Sequence, residues 1–111
     1  MAAEARFNRL SVATENWTLL AQYPDLADIW QKEEHHEDLT SNELARWEAW
    51  SMRVLTTREW SFRELPRSEL LIENWRRNYE NWPTFRAFYQ REKGRFDPEF
   101  VKWHDENISR D

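Results

Sequence analysis

Phe7, Leu10, Thr14, Trp17 and Ala21 fall on one helical stripe, widened by Ala13 and Leu20. That spacing predicts a first helix from Ala3 or Glu4 to about Gln22. Tyr23-Pro24-Asp25 breaks it, and Pro24 suits the first turn of a short second helix running to about Lys32. Leu26, Ile29 and Trp30 form its apolar side, and a helix so short has to be held by docking. The run from Lys32 to Asp38 reads as a solvated polar loop.

The clearest helix start follows. Thr40 and Glu43 have the spacing of a capping box, and Leu39 and Leu44 that of a hydrophobic staple. Leu44, Trp47, Trp50, Ser51, Val54 and Leu55 continue as one face. Thr56-Thr57 weakens the helix through lost χ1 freedom, but the stripe carries on through Arg58 to Phe62 and Leu65. We expect one helix from Ser41 to about Glu64, stopped because Leu65 precedes Pro66, with a break near Thr57 as the alternative. Ser68 is the expected N-cap of a fourth helix, Glu69 to Asn81, with the stripe Leu71, Trp75, Asn78, Tyr79, Trp82. Pro83 opens a fifth, to about Lys93, carrying Phe85, Phe88 and Tyr89 inward; Gly94 is its expected left-handed stop. Asp97 and Pro98 then cap and start a sixth helix, which bears Phe100, Val101, His104 and Ile108.

The prediction is an all-α, compact single-domain bundle over residues 1–111, with five main helices plus one short helix and an aromatic-rich core. Composition narrows this further. A chain of 111 residues is one domain and buries enough surface for a core without staples. One glycine in the whole chain leaves few of the tight turns that β-sandwiches need, and none of the Gly-rich loops that cradle phosphates. The absence of cysteine removes disulfides, thiol catalysis and Cys-ligated zinc. Eight tryptophans are more than so small a core is expected to hold, and Trp is enriched at contact surfaces.

The formal charge is −5, unevenly spread: residues 1–50 carry four basic and ten acidic side chains, and residues 51–111 carry twelve and eleven. The acidic total argues against nucleic acid as a partner. No apolar run is long enough to span a bilayer, and residues 1–10 lack the apolar stretch of a signal peptide. A soluble, cytoplasmic protein is the expectation.

Candidate chemistry is sparse. His35 and His36, among Glu33, Glu34, Glu37 and Asp38, are weak metal candidates without the spacing that places two His on one helical face. No metal or other cofactor is expected. Most carboxylates stand beside arginines or at helix starts, as surface pairs such as Glu69/Glu73 with Arg76/Arg77 and Glu43/Arg46/Glu48. Between Arg53 and Arg95, ten basic and six acidic residues interleave with aromatics, the materials of single-strand binding. Helical phase separates them, however: Trp75, Tyr79 and Trp82 share a face that Arg76 and Arg77 turn away from. Those arginines read as a solvated rim able to cover Trp edges.

Asn16-Trp17-x-x-Leu20, Tyr23-Pro24-Asp25-Leu26-Ala27-x-Ile29-Trp30, Asp38-Leu39-Thr40-x-x-Glu43-x-x-Arg46-Trp47, Trp75, and Trp82-Pro83 ahead of Phe85 and Phe88 form an ordered pattern. It resembles small uncharacterised helical proteins of bacteria, over most of the chain. The matching positions are caps and core, so the resemblance implies a fold and no catalytic residue. Many such proteins carry an N-terminal membrane helix, and no apolar run of that kind occurs here.

The expected function is that of a non-enzymatic protein-interaction module, with a protein partner or itself as a homodimer. Its interface candidates are Trp30, Trp60 and Trp103, each near a helix end or off the main stripe. One alternative is a phage or mobile-element inhibitor docking a host protein through the acidic N-terminal half. Another is small-molecule binding between helices near Trp75, Tyr79 and Trp82.

Overall fold

The computed structural model describes residues 22–109, so the helix expected over residues 3–22 lies outside them save for its last residue. Five α-helices follow: α1 (Pro24–Glu34), α2 (Ser41–Glu64), α3 (Ile72–Asn81), α4 (Pro83–Glu92) and α5 (Pro98–Asn107). Among the described residues there is no strand. The architecture is all-α, organised on α2, which packs against α1, α4 and α5, while α3 packs on α4.

The length of α2 follows from its sequence. The Thr40 hydroxyl accepts from Glu43 N at 3.2 Å and the Glu43 carboxylate accepts from Thr40 N at 2.9 Å, which closes the capping box. Thr56 and Thr57 do not break the helix. Their hydroxyls donate to the carbonyls of Met52 and Arg53, one turn back, at 2.8 and 2.9 Å. Extended Leu65 ends it ahead of Pro66. The inner face buries Trp47, Trp50, Ser51, Val54, Leu55, Arg58, Ser61 and Phe62. Leu44, expected on that face and in the staple, is exposed, whereas Leu39 packs against the core.

Three boundaries differ from expectation. Arg67–Glu69 is a 3-10 turn, Ser68 makes no side-chain cap to it, and α3 begins only at Ile72. The delay leaves Leu70 and Leu71 outside the helix, where Leu70 is buried and Leu71 is 49% exposed. The second difference is at Gly94, which lies in a 3-10 turn over Lys93–Arg95 and keeps a negative φ, so α4 tightens instead of stopping on a left-handed glycine.

The left-handed position falls instead on His36, φ 57°. It ends α1 two residues later than expected, in a Schellman pattern: His36 N donates to Glu33 O at 3.1 Å and Glu37 N to Lys32 O at 2.8 Å. The first three residues of the expected polar loop, Lys32 to Glu34, are therefore helical, with Glu33 buried, while residues 35–38 lie outside the helix and are exposed as expected. Asp97 caps α5 as its spacing predicted, its side chain accepting from Glu99 N at 2.9 Å. No described helix is long and apolar enough to cross a membrane.

Candidate functional site

The corner between α3 and α4 is Trp82, which ends one helix and starts the next at φ −112° and ψ 87°. Its indole belongs to an aromatic column. Trp50 stacks on Trp47 at 4.7 Å, Trp47 meets Trp82 edge-on at 5.6 Å, and Trp82 meets Phe85 edge-on at 5.6 Å. Such pairs add to the area they bury, by about 0.5–1.5 kcal/mol each. The column surfaces at Trp50. There Leu26 of α1 and Arg46, Ala49, Trp50 and Arg53 of α2 line an open groove of about 290 Å³. Arg46 Nε meets Asp25 Oδ2 across its rim at 2.7 Å, with both side chains about half exposed.

The seven described tryptophans divide. Trp47, Trp50, Trp75 and Trp82 are buried, whereas Trp30, Trp60 and Trp103 pack against the core but stay partly exposed. Trp103 lies 5.4 Å from Phe62 and edge-on to Trp75 at 6.0 Å. Arg67 covers this cluster, its guanidinium 3.7 Å from the Phe62 ring and donating to Phe62 O at 2.7 Å. Trp75, Tyr79 and Trp82, the residues considered for a ligand pocket, are core residues packed against other rings. None of the three lines the groove.

The C-terminal turn of α1 grips the Trp82 corner with polar groups. Glu33 Oε1 accepts from Thr84 N at 2.6 Å, so a buried carboxylate caps the N-terminus of α4 from another helix. Burial raises its pKa, and the bonds from the first turn of α4 only partly offset this. Glu34 Oε1 accepts from Trp82 Nε1 at 2.7 Å. His36 Nε2 lies 3.1 Å from Asn81 O, which makes that nitrogen the protonated one, while His35 Nδ1 meets Gln31 O at 2.8 Å. Both imidazoles thus bond helix-terminal carbonyls. Among the described residues no three His, Asp or Glu side chains converge as a metal site.

Several arginines also cap helices. Arg76 donates to Asn107 O through Nε and Nη2, at 3.2 and 2.9 Å, closing the end of α5. Arg86 donates to Tyr79 O and Glu80 O at the end of α3. The expected solvated rim is correct for Arg77, which is exposed, but not for Arg76. Charged residues expected to pair within α2 reach across helices instead, Glu43 to Lys32 at 2.8 Å and Arg46 to Asp25. The pair Glu73–Arg76 forms as its spacing predicted, at 2.8 Å.

Two buried bases remain. Arg58 lies between Trp75 and Phe85, 5.3 Å from each ring centroid, and Nη2 donates to Asn78 Oδ1 at 2.8 Å. Burial pushes its guanidinium down to about 9. His104 is fully buried against Tyr79, Tyr89 and Phe100, and its Nδ1 is 3.1 Å from Ser109 Oγ. Desolvation, with Arg58 nearby, holds it down at about 3. Ser109 Oγ and Tyr89 OH both donate to Asp105 Oδ1 at 2.9 Å. Against the desolvation that would raise it, these bonds and Lys93 keep the Asp105 carboxyl below its ordinary value. A serine, a histidine and an aspartate thus meet, but the carboxylate holds the serine and a phenol rather than orienting the imidazole, and Ser109 is buried.

The sequence analysis placed Glu33 in a solvated loop beside the weak metal candidates and did not single out the groove. Glu33 follows Ile29 and Trp30 at helical spacing, so phase alone marked it as inward. Arg46, Ala49 and Arg53 likewise share one face of α2, a signal hidden by reading only its apolar stripe. Comparison of the chain with models of protein families, with curated proteins and with solved structures finds no match.

Proposed function

We propose that the chain is a non-enzymatic interaction module that contacts another protein, or a second copy of itself, through tryptophans its core leaves partly outside. One observation carries this reading: four of the described tryptophans are buried, while Trp30, Trp60 and Trp103 are only partly buried. Half-buried indoles are suited to contact, since each presents a large rigid area at little cost in side-chain freedom. The polar groups support it from the other side. Glu33, Glu34, Asp97, Arg76 and Arg86 hold helix termini and the corner, and His104 and Arg58 are enclosed by rings. Groups so employed are structural rather than poised toward a substrate.

Sedimentation velocity over a wide range of micromolar concentration, beside acrylamide quenching of tryptophan emission, tests the reading. We expect a quenchable fraction that falls in the Trp60→Ala and Trp103→Ala variants. Self-association, if the partner is a second copy, weakens in the same variants. A strict monomer whose indoles are all shielded from acrylamide would overturn the proposal.

A further inference from the structure

The end of α1 is fastened to the corner between α3 and α4 by three side chains. Glu33 Oε1 accepts from Thr84 N at 2.6 Å, Glu34 Oε1 accepts from Trp82 Nε1 at 2.7 Å, and His36 Nε2 donates to Asn81 O at 3.1 Å. Glu33 differs from the other two in being enclosed, at 1% exposure, and its second oxygen, Oε2, is buried with no hydrogen-bond partner among the described residues. A carboxyl oxygen so placed is costly as a bare charge and easier to keep with a proton on it. The charged groups around it do not remove that cost. Lys32 is drawn off to Glu43 of α2, and Arg86 of α4 to the carbonyls of Tyr79 and Glu80 on α3. From α2, the uncharged indoles of Trp47 and Trp50 pack toward Trp82. Burial raises the Glu33 carboxyl, and the N–H groups of Thr84 and Phe85, followed by the charge of His36, offset this only in part.

We propose that Glu33 is a pH-sensitive clasp, which holds α1 on the corner most firmly when Oε2 carries a proton and loosens when the carboxyl ionises. In the protonated form Oε1 still accepts from Thr84 N, so taking up the proton breaks no bond. The folded carboxyl lies above its ordinary value. The added hold is therefore full below that ordinary value and is lost as pH rises through the raised one. Loosening acts on a helix whose ion pairs to α2 are weak ties, because Lys32–Glu43 and Asp25–Arg46 are both open to solvent. It frees the element that carries Leu26 and Ile29 into the core and Trp30 at its edge. The clasp acts whatever the tryptophans contact.

Hydrogen exchange of the Thr84 amide reads the clasp directly. It is followed by NMR on the full chain between about pH 4.5 and 7.5, corrected for the intrinsic rate, with the amide of buried Leu55 in α2 as the reference for global opening. We expect the protection of Thr84 relative to Leu55 to fall as pH rises, by up to about tenfold for each unit by which the Glu33 carboxyl is raised. Glu33→Gln keeps an acceptor for Thr84 N and cannot ionise, so its relative protection should hold the acid-side level across the range. His36→Asn removes the titrating ring from a left-handed position that asparagine tolerates, and should leave the pH response in place. A parent whose relative protection is flat, or rises with pH, overturns the proposal. So does a pH response that survives in Glu33→Gln or vanishes in His36→Asn. The parent's own profile can refute the clasp even if a variant does not fold.

Discussion

Arg58 is a buried cation whose guanidinium donates to an amide, that of Asn78, and its energetics can be worked from the structure. Burial takes its pKa from the ordinary guanidinium range down to about 9, a shift that at about 1.36 kcal/mol per unit is a penalty of roughly 5 kcal/mol at neutral pH. Two terms oppose it. The bond from Nη2 to Asn78 Oδ1, 2.8 Å long, is a charged hydrogen bond worth about 1.5–3 kcal/mol. The contacts with Trp75 and Phe85 add about 1–2 kcal/mol each in a desolvated setting. These sums nearly cancel, so Arg58→Met, which keeps the stem and drops the charge, should change stability by no more than about 1 kcal/mol. Removing the acceptor instead strands the charge: Asn78→Ala should cost about 3 kcal/mol. In the Arg58→Met background the same Asn78→Ala change should cost about 1 kcal/mol or less. Urea unfolding followed by circular dichroism, on the four chains of this cycle, gives the coupling energy. The folded pKa is the lower one, so the penalty is full below about pH 9 and is relieved as pH rises from there toward the ordinary guanidinium range. The parent should therefore gain on Arg58→Met above pH 9. Equal costs of Asn78→Ala in both backgrounds, or a loss above about 3 kcal/mol on Arg58→Met, would refute the reasoning.

Other outcomes follow from the same contacts. At His36, φ 57°, glycine relieves the left-handed strain while alanine keeps it, and both lose the bond to Asn81 O. His36→Gly should therefore melt above His36→Ala, by about 1 kcal/mol of stability, and the reverse order would refute the assignment of strain. Glu34→Ala deprives the Trp82 indole N–H of its acceptor inside the corner, and should cost about 1–3 kcal/mol in urea unfolding. His104 is held at about 3 against an ordinary 6.5, so the stability that its neutral form contributes is present above pH 6.5. It is lost as pH falls toward 3, up to the order of 5 kcal/mol. His104→Leu should flatten that acid limb between pH 6.5 and 3, and parallel stability curves for parent and variant would rule this out.

How much of this was legible follows from what helical phase encodes. Periodicity placed Arg58 on the inner stripe of α2, between Val54 and Phe62, and the structure buries it there. It also carried α2 unbroken across Thr56-Thr57. It misplaced Leu71, because the 3-10 turn moved the start of α3 to Ile72 and left Leu71 outside the helix, where helical spacing does not decide which way a side chain faces. Gly94 was read as the left-handed stop from residue type alone. The chain instead put its left-handed residue at His36, where the tertiary bond to Asn81 O is available to the side chain.

The groups that the sequence could not place are those that satisfy someone else's helix end. A helix offers unpaired N–H groups at one terminus and unpaired carbonyls at the other, and each needs a partner once packing excludes water. In this bundle α3 and α4 lack side-chain caps of their own. The deficit is met from elsewhere: Glu33 on the N-terminus of α4, and Arg86 on the carbonyls of α3. The same arrangement closes α5 through Arg76. Each of these side chains looks like an ordinary surface charge in its own helix, and becomes structural only through an element that lies far from it in sequence.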